Sequence, residues 1–144
     1  MIPNFDAHGN LPPGIHLASW DEFETRFAHN RYRKRLIRGM KSALCSLKKA
    51  GCKTVYLDGS FVTDKNNPKD YDGCWDPTGV NFDSLDPVLK DFSRSRTAQK
   101  IKFFGEMFFS ISPSPKGTIL DFFQHDKDDN VKGIVAINLG DFND

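Results

Sequence analysis

The residues best suited to chemistry are a glycine–serine pair and, after nine intervening residues, two aspartates. Gly59-Ser60 ends a run of strand formers, Thr54-Val55-Tyr56-Leu57-Asp58, and Asp70-Tyr71-Asp72 opens a second short strand that reaches Trp75. Side chains alternate along a strand, so Asp70 and Asp72 share one face while Tyr71 and Trp75 take the other. Two carboxylates on one face repel. The usual relief is a divalent cation with hard oxygen ligands, Mg²⁺ or Mn²⁺. The Gly-Ser turn complements them. Glycine lets the backbone approach a phosphate, while N–H groups and the Ser60 hydroxyl can donate to its oxygens. A phosphate cradle beside a metal-binding carboxylate pair is the apparatus of phosphoryl or nucleotidyl transfer.

These residues need a scaffold, and the sequence sketches one. Residues 1–18 hold Pro3, Gly9, Pro12, Pro13 and Gly14, which predict an extended arm. Ser19 and Glu22 form an S-x-x-E capping pattern that starts a helix running to about Phe27. A longer helix is predicted from about Asn30 to Ala50. It carries an apolar stripe of Tyr32, Leu36, Met40, Ala43, Leu44 and Leu47, and Gly51 follows its end. Helices are predicted over Ser84 to Phe92 and Ser95 to Lys102, and strands over Glu106 to Ile111 and Thr118 to Gln124. Val131 to Leu139 suits a strand better than a short buried helix. Asp121 stands inside the Thr118–Gln124 run, between Ile119-Leu120 and Phe122-Phe123. An acid in a buried strand is costly unless paired or metal-bound.

The chain has 144 residues, a length that fits one domain spanning 1–144. Lys and Arg total 20 and Asp and Glu 19, which argues against a uniformly basic nucleic-acid binder. The balance hides segregation. Arg31 to Lys53 contains nine basic residues and no acidic one, and Asp121 to Asp144 contains six aspartates and two lysines. No apolar run approaches the roughly 20 residues of a membrane span. The first ten residues lack a signal-peptide pattern, so no membrane partner and a cytoplasmic location are expected. Three cysteines without CxxC spacing fit a reducing compartment.

The spacing of Gly59-Ser60, Asp70 and Asp72 resembles the active-site signature of the DNA polymerase β-type nucleotidyltransferase superfamily. It is closest to the small, minimal nucleotidyltransferases associated with bacterial toxin–antitoxin and phage-defence loci. Ile2-Pro3-x-Phe5-Asp6, Gly9-Asn10-Leu11-Pro12-Pro13-Gly14 and Leu120-Asp121-Phe122-Phe123-Gln124 resemble an uncharacterised subfamily of that fold. The resemblance implies an α/β (α+β) domain, a small mixed sheet flanked by helices. It implies that Asp70 and Asp72 hold Mg²⁺, and that Gly59 and Ser60 hold the β- and γ-phosphates of an NTP. A third carboxylate on a later strand, matched by Asp121, would share the catalytic metal and orient the acceptor hydroxyl. The sequence departs from the pattern in three ways. Its Gly-Ser to Asp gap is nine where ten is more frequent, Cys74 and Trp75 follow where aliphatic residues are frequent, and no separate substrate domain follows.

The expected function is metal-dependent transfer of a nucleotide from an NTP to the 3′ end of a tRNA or to a protein hydroxyl, within a toxin–antitoxin setting. The alternative is a non-catalytic chain of the same fold that binds a cognate toxin or antitoxin as a neutralising or regulatory subunit. A third reading uses the basic run Arg31 to Lys41 to bind RNA, against the plainer one of a solvated helix face. Lys65 is the candidate nucleotide contact outside the turn, with Lys69, Arg94 and Arg96 as further phosphate contacts. Cys74 shares the aspartate face and reads as a small packing residue. Asp126, Asp128 and Asp129 lack the glycine and glutamate of a calcium loop and read as a polar turn.

Overall fold

The computed structural model describes residues 1–142. Its centre is a mixed five-stranded sheet. In chain order the strands are β1 (Gly14–Ala18), β2 (Thr54–Asp58), β3 (Tyr71–Trp75), β4 (Gly105–Phe109) and β7 (Gly133–Asn138), with the two-stranded hairpin β5 (Pro113–Ser114) and β6 (Gly117–Thr118) apart from it. The spatial order is β1-β7-β2-β3-β4. The β7–β2 and β2–β3 pairs are antiparallel, and both outer pairs are parallel. The mixed α/β architecture is the one expected. The end of the N-terminal arm is more ordered than its prolines suggest, because Gly14–Ala18 pairs along β7.

Two helices cover one face. Helix α1 (Trp20–Phe27) starts where Ser19 Oγ accepts from the Glu22 N–H at 3.1 Å. Glu22 does not complete the box; its carboxylate accepts from the Ile2 N–H instead. Helix α2 (Arg31–Lys49) is capped by Asn30. The apolar stripes of both helices meet Val55, Leu57, Tyr71, Trp75, Met107, Val135 and Ile137 in the main core. These are the alternate residues of each strand, as a two-sided sheet requires. On the other face, Cys74, Phe123 and Ile134 form a small second core with Tyr56, Phe108 and Leu120. Cys74 is therefore a packing residue, as expected.

Between Trp75 and β4 the predicted Ser95–Lys102 helix forms within α3 (Ser93–Phe103), but the predicted Ser84–Phe92 helix does not. Asn81 and Asp86 accept from the N–H groups two residues on, and this local bonding starts the 3₁₀ turns Phe82–Ser84 and Pro87–Lys90 in place of a helix over Ser84–Phe92. Helix α3 (Ser93–Phe103) begins with a left-handed turn, φ 51° at Arg94, 54° at Ser95 and 60° at Arg96. Among the described residues no helix is long and apolar enough to cross a membrane.

Candidate active site

Strand register builds the site. Asp58 of β2 stands opposite Asp72 of β3, and Asp72 stands opposite Glu106 of β4. Three acids thus form one row across three neighbouring strands, on the face away from α1 and α2. The next row on that face is Tyr56, Cys74 and Phe108. Like charges directly opposite each other destabilise a sheet, so the row needs compensation. Both ends receive it. Lys132 Nζ lies 3.0 Å from Asp58 Oδ1, and the Gly59 N–H donates to the same carboxylate. At the other end, Arg96 Nε donates to Glu106 Oε1 at 2.8 Å, and Lys100 Nζ lies 3.3 Å from that oxygen. The left-handed turn that opens α3 carries Arg96 to this position.

Among the described residues, no cation pairs with the middle acid. Burial raises the Asp72 pKa, and its hydrogen bond with Glu106 and the charges of Asp70, Glu106 and Asp58 push the same way, to about 8. Burial also pushes Glu106 upward, but hydrogen bonds from Arg96, Asp72 and Lys100 outweigh it and hold its carboxyl below the ordinary value. Near neutral pH the pair therefore holds one proton, on Asp72 and shared toward Glu106. Burial raises Asp58 as well, against the opposing charge of Lys132.

The Gly-Ser turn lies against this row. Gly59 has φ 80°, and a Cβ there would stand 2.6 Å from Asp72 Oδ2. Only glycine combines that backbone conformation with that approach. Ser60 opens a single 3₁₀ turn, closed by the Val62 and Thr63 N–H groups. Arg33 fixes the segment that follows. Its guanidinium is fully buried and donates to the carbonyls of Phe27, Phe61, Thr63 and Lys65. Burial pulls it down to about 10, so it stays charged. Gly9 packs against Asp64, whose N–H donates to the Gly9 carbonyl, and brings the neighbouring Asn10 to the site.

Gly59, Ser60 and the acid row line an open cleft of about 920 Å³, whose lining also includes Lys116, Lys127, Lys132, His125, Asp126 and Asp129. A family model covering residues 3–138 matches nearly the whole chain, including every residue of the row. The chain belongs to DUF6932, a family of unknown function. No curated protein and no solved structure matches it.

In this member of DUF6932, the candidate residues are not all brought together. Gly59, Ser60 and Asp72 converge in the cleft. Asp70 lies just before β3, at a smaller cavity beside Lys69 and Lys100. Burial and then the Glu106 charge raise its pKa. Lys65 is exposed and offers its carbonyl to Arg33; its side chain does not line the cleft.

Asp121 requires a correction. Thr118–Gln124 is not a strand of the sheet. Ile119–Phe122 forms the short helix α4, with Thr118 as its N-cap. Asp121 Oδ2 accepts from the Thr118 N–H and Oγ1, both at 3.0 Å, and the Asp121 N–H donates to Thr118 Oγ1. The carboxylate is exposed and engaged in this capping box. Arg33 corrects the basic-run reading in the same way, because its buried guanidinium cannot meet RNA.

Asp58 and Glu106 are the residues sequence reasoning missed. Glu106 carries the signal that drew attention to Asp121, an acid within an apolar run, here Phe103 to Phe109.

Proposed function

We propose that the chain transfers a nucleotide from an NTP to an acceptor hydroxyl in a metal-dependent reaction. The observation that carries this reading is the partly buried row Asp58, Asp72 and Glu106 beside the Gly59-Ser60 turn. A proton shared between Asp72 and Glu106 marks a place where positive charge relieves repulsion. Among the described residues, no group of three His, Cys, Asp or Glu side chains is disposed to hold a metal ion. Mg²⁺ suits such a place, because it is commonly held by one or two carboxylates with waters and substrate phosphates completing its shell. Asp72 and Glu106 would hold it. When bound, the ion polarises the α-phosphoryl group and neutralises charge on the leaving pyrophosphate.

The protein's own groups supply the rest. Gly59 leaves room for a phosphate to approach the backbone, and the Ser60 hydroxyl can donate to it. Lys127 of the lining can meet the triphosphate directly, while Lys116 and Lys132 are paired with Asp129 and Asp58 and would have to exchange partners to do so. Asp58 orients the β2 end of the row through its ion pair with Lys132. Asp121 has no part in this reading. The test incubates the full chain with each α-labelled NTP, Mg²⁺, total tRNA and candidate partner proteins, with a chelated control. Label should transfer with wild type and fall to background with the Asp72→Ala/Glu106→Ala variant. Equal transfer by both sinks the reading.

A specific observation favours a second reading, the non-catalytic partner-binding subunit. Glu106 is already closed by Arg96 and Lys100. If those pairs persist, no cation enters, and calorimetry with Mg²⁺-ATP gives no heat of binding.

A further inference from the structure

The acid row is flanked by cations on two opposite sides, and the sheet order keeps them apart. Lys132 enters from the β7 side, next to β2. On the far side, around β3 and β4, a separate cavity of about 250 Å³ is lined by Arg35, Lys69, Asp70, Lys100 and Phe104. The two cavities meet at Glu106, which lines the first and pairs with Lys100 of the second. Of the cavity's cations, Lys100 is paired with Glu106, while Arg35 and Lys69 are left. Arg35 is exposed and lies 4.2 Å over the Phe104 ring, and Lys69 is exposed. Among the described residues neither is in an ion pair. Arg35 is held in place by α2 and its ring contact. The backbone of Lys69 is anchored to α2 through its carbonyl, which accepts from the Tyr32 hydroxyl. Arg35 and Lys69, with Lys100 paired to Glu106 and Asp70 also in the lining, leave an excess of positive charge around a space that fits one phosphate, beside an acid centre.

We propose that Arg35, Lys69 and Lys100 seat a backbone phosphate of a single-stranded RNA acceptor, whose terminal hydroxyl then reaches the acid row. This rests on the nucleotide-transfer reading and names its acceptor. The triphosphate takes the Gly59-Ser60 and Lys132 side, and the acceptor takes the Lys69 side. The cationic subsite favours a polyanion over a protein hydroxyl as acceptor.

The probe is a fluorescein-labelled single-stranded RNA of mixed sequence, bound to the full chain and followed by anisotropy across a salt series. Arg35→Ala/Lys69→Ala should weaken binding about tenfold and make the log–log salt slope shallower by roughly 1.4, the share of two phosphate contacts on a single strand. Arg31→Ala/Lys41→Ala removes the same charge from α2 outside the subsite and should weaken binding no more than about twofold. Lys69→Glu, a single exposed change, repeats the effect if the double variant folds poorly. Equal losses in the two double variants overturn the subsite, because they report general charge alone. Absence of RNA binding by the wild type, or tighter binding of the matching DNA than of RNA, also overturns it. Calorimetry with Mg²⁺-ATP separates the two proposals. RNA binding without nucleotide binding refutes nucleotide transfer and supports the anion subsite. Nucleotide binding without RNA binding refutes the subsite alone.

Discussion

Replacing Asp72 with asparagine should remove a specific pH dependence of stability. In the folded chain Asp72 keeps its proton up to about pH 8, against 3.8 for its ordinary value. Between those limits the folded state binds more protons than the unfolded state, so stability falls as pH rises. The loss is about 1.4 kcal/mol per pH unit at most, or roughly 2–3 kcal/mol between about pH 6 and pH 8. Glu106 acts in the opposite sense. Its lowered pKa contributes stability that is present above its unfolded value and lost only in acid, so it stays outside this window. The side-chain amide introduced by Asp72→Asn would keep a donor toward Glu106 and have no proton to lose. Urea denaturation in chelator at about pH 6, 7 and 8 reads the difference, because titrations away from the row are common to both proteins and Glu106 titrates below this window. The wild-type midpoint should fall with pH relative to the variant. Added Mg²⁺ should restore wild type more at the higher pH, with each tenfold excess over its Kd worth about 1.4 kcal/mol. Parallel curves for the two proteins, with or without Mg²⁺, would refute the shared proton and the reasoning built on it.

Gly59→Ala places a Cβ 2.6 Å from Asp72 Oδ2 at φ 80°. It should lower stability by roughly 1–3 kcal/mol in urea and weaken Mg²⁺-ATP binding about tenfold or more by calorimetry. Arg33→Met leaves the carbonyls of Phe27, Phe61, Thr63 and Lys65 without their donor. A loss of about 3–5 kcal/mol is expected by thermal or urea unfolding, with Arg33→Lys restoring only part of it because an ammonium lacks the guanidinium fork. Glu106→Gln should cut label transfer about 100-fold, while Asp121→Ala keeps it within about twofold. The reverse order would reinstate Asp121 as the third carboxylate.

Local features were legible where local chemistry decides them. Ser19 and Asn30 cap the helices that the sequence starts there, and the alternation around Asp72 puts Tyr71 and Trp75 in the core and the acid on the opposite face. The Gly-Ser turn also stands where its composition indicates. What was not legible is register. Nothing near Glu106 in the sequence says that β4 lies parallel to β3 with Glu106 opposite Asp72. Asp121 shows the converse failure. An acid in an apolar run fits a buried strand, but Thr118 three residues earlier closes a capping box, and that local bonding decides the conformation. Arg33 was hidden among exposed cations because burial depends on which helix face meets the loop after Ser60, a tertiary fact. The left-handed turn at Arg94–Arg96 has no glycine to announce it.

The acid row is better explained by a ligand than by stability. A fold that needed only to close this sheet would place apolar residues across β2, β3 and β4, as it does one row away with Tyr56, Cys74 and Phe108. Replacing buried charges with well-packed apolar groups is often neutral or stabilising. Here the fold instead brings a lysine to one end and two cations to the other, and it holds three residues in the left-handed region to aim one of them. Such strain is of order 1 kcal/mol or more per residue and persists where the surroundings fix it, often at functional sites. Among the described residues no cation pairs with the middle acid, and burial with the neighbouring carboxylates favours its protonated form. A positively charged ligand at Asp72 and Glu106 would remove that proton and loosen Glu106 from Arg96 and Lys100, freeing both groups for phosphate. Cation entry and the opening of the neighbouring anion subsite would then be one event. Mg²⁺ should therefore tighten RNA binding in the wild type and leave it unchanged in Glu106→Gln.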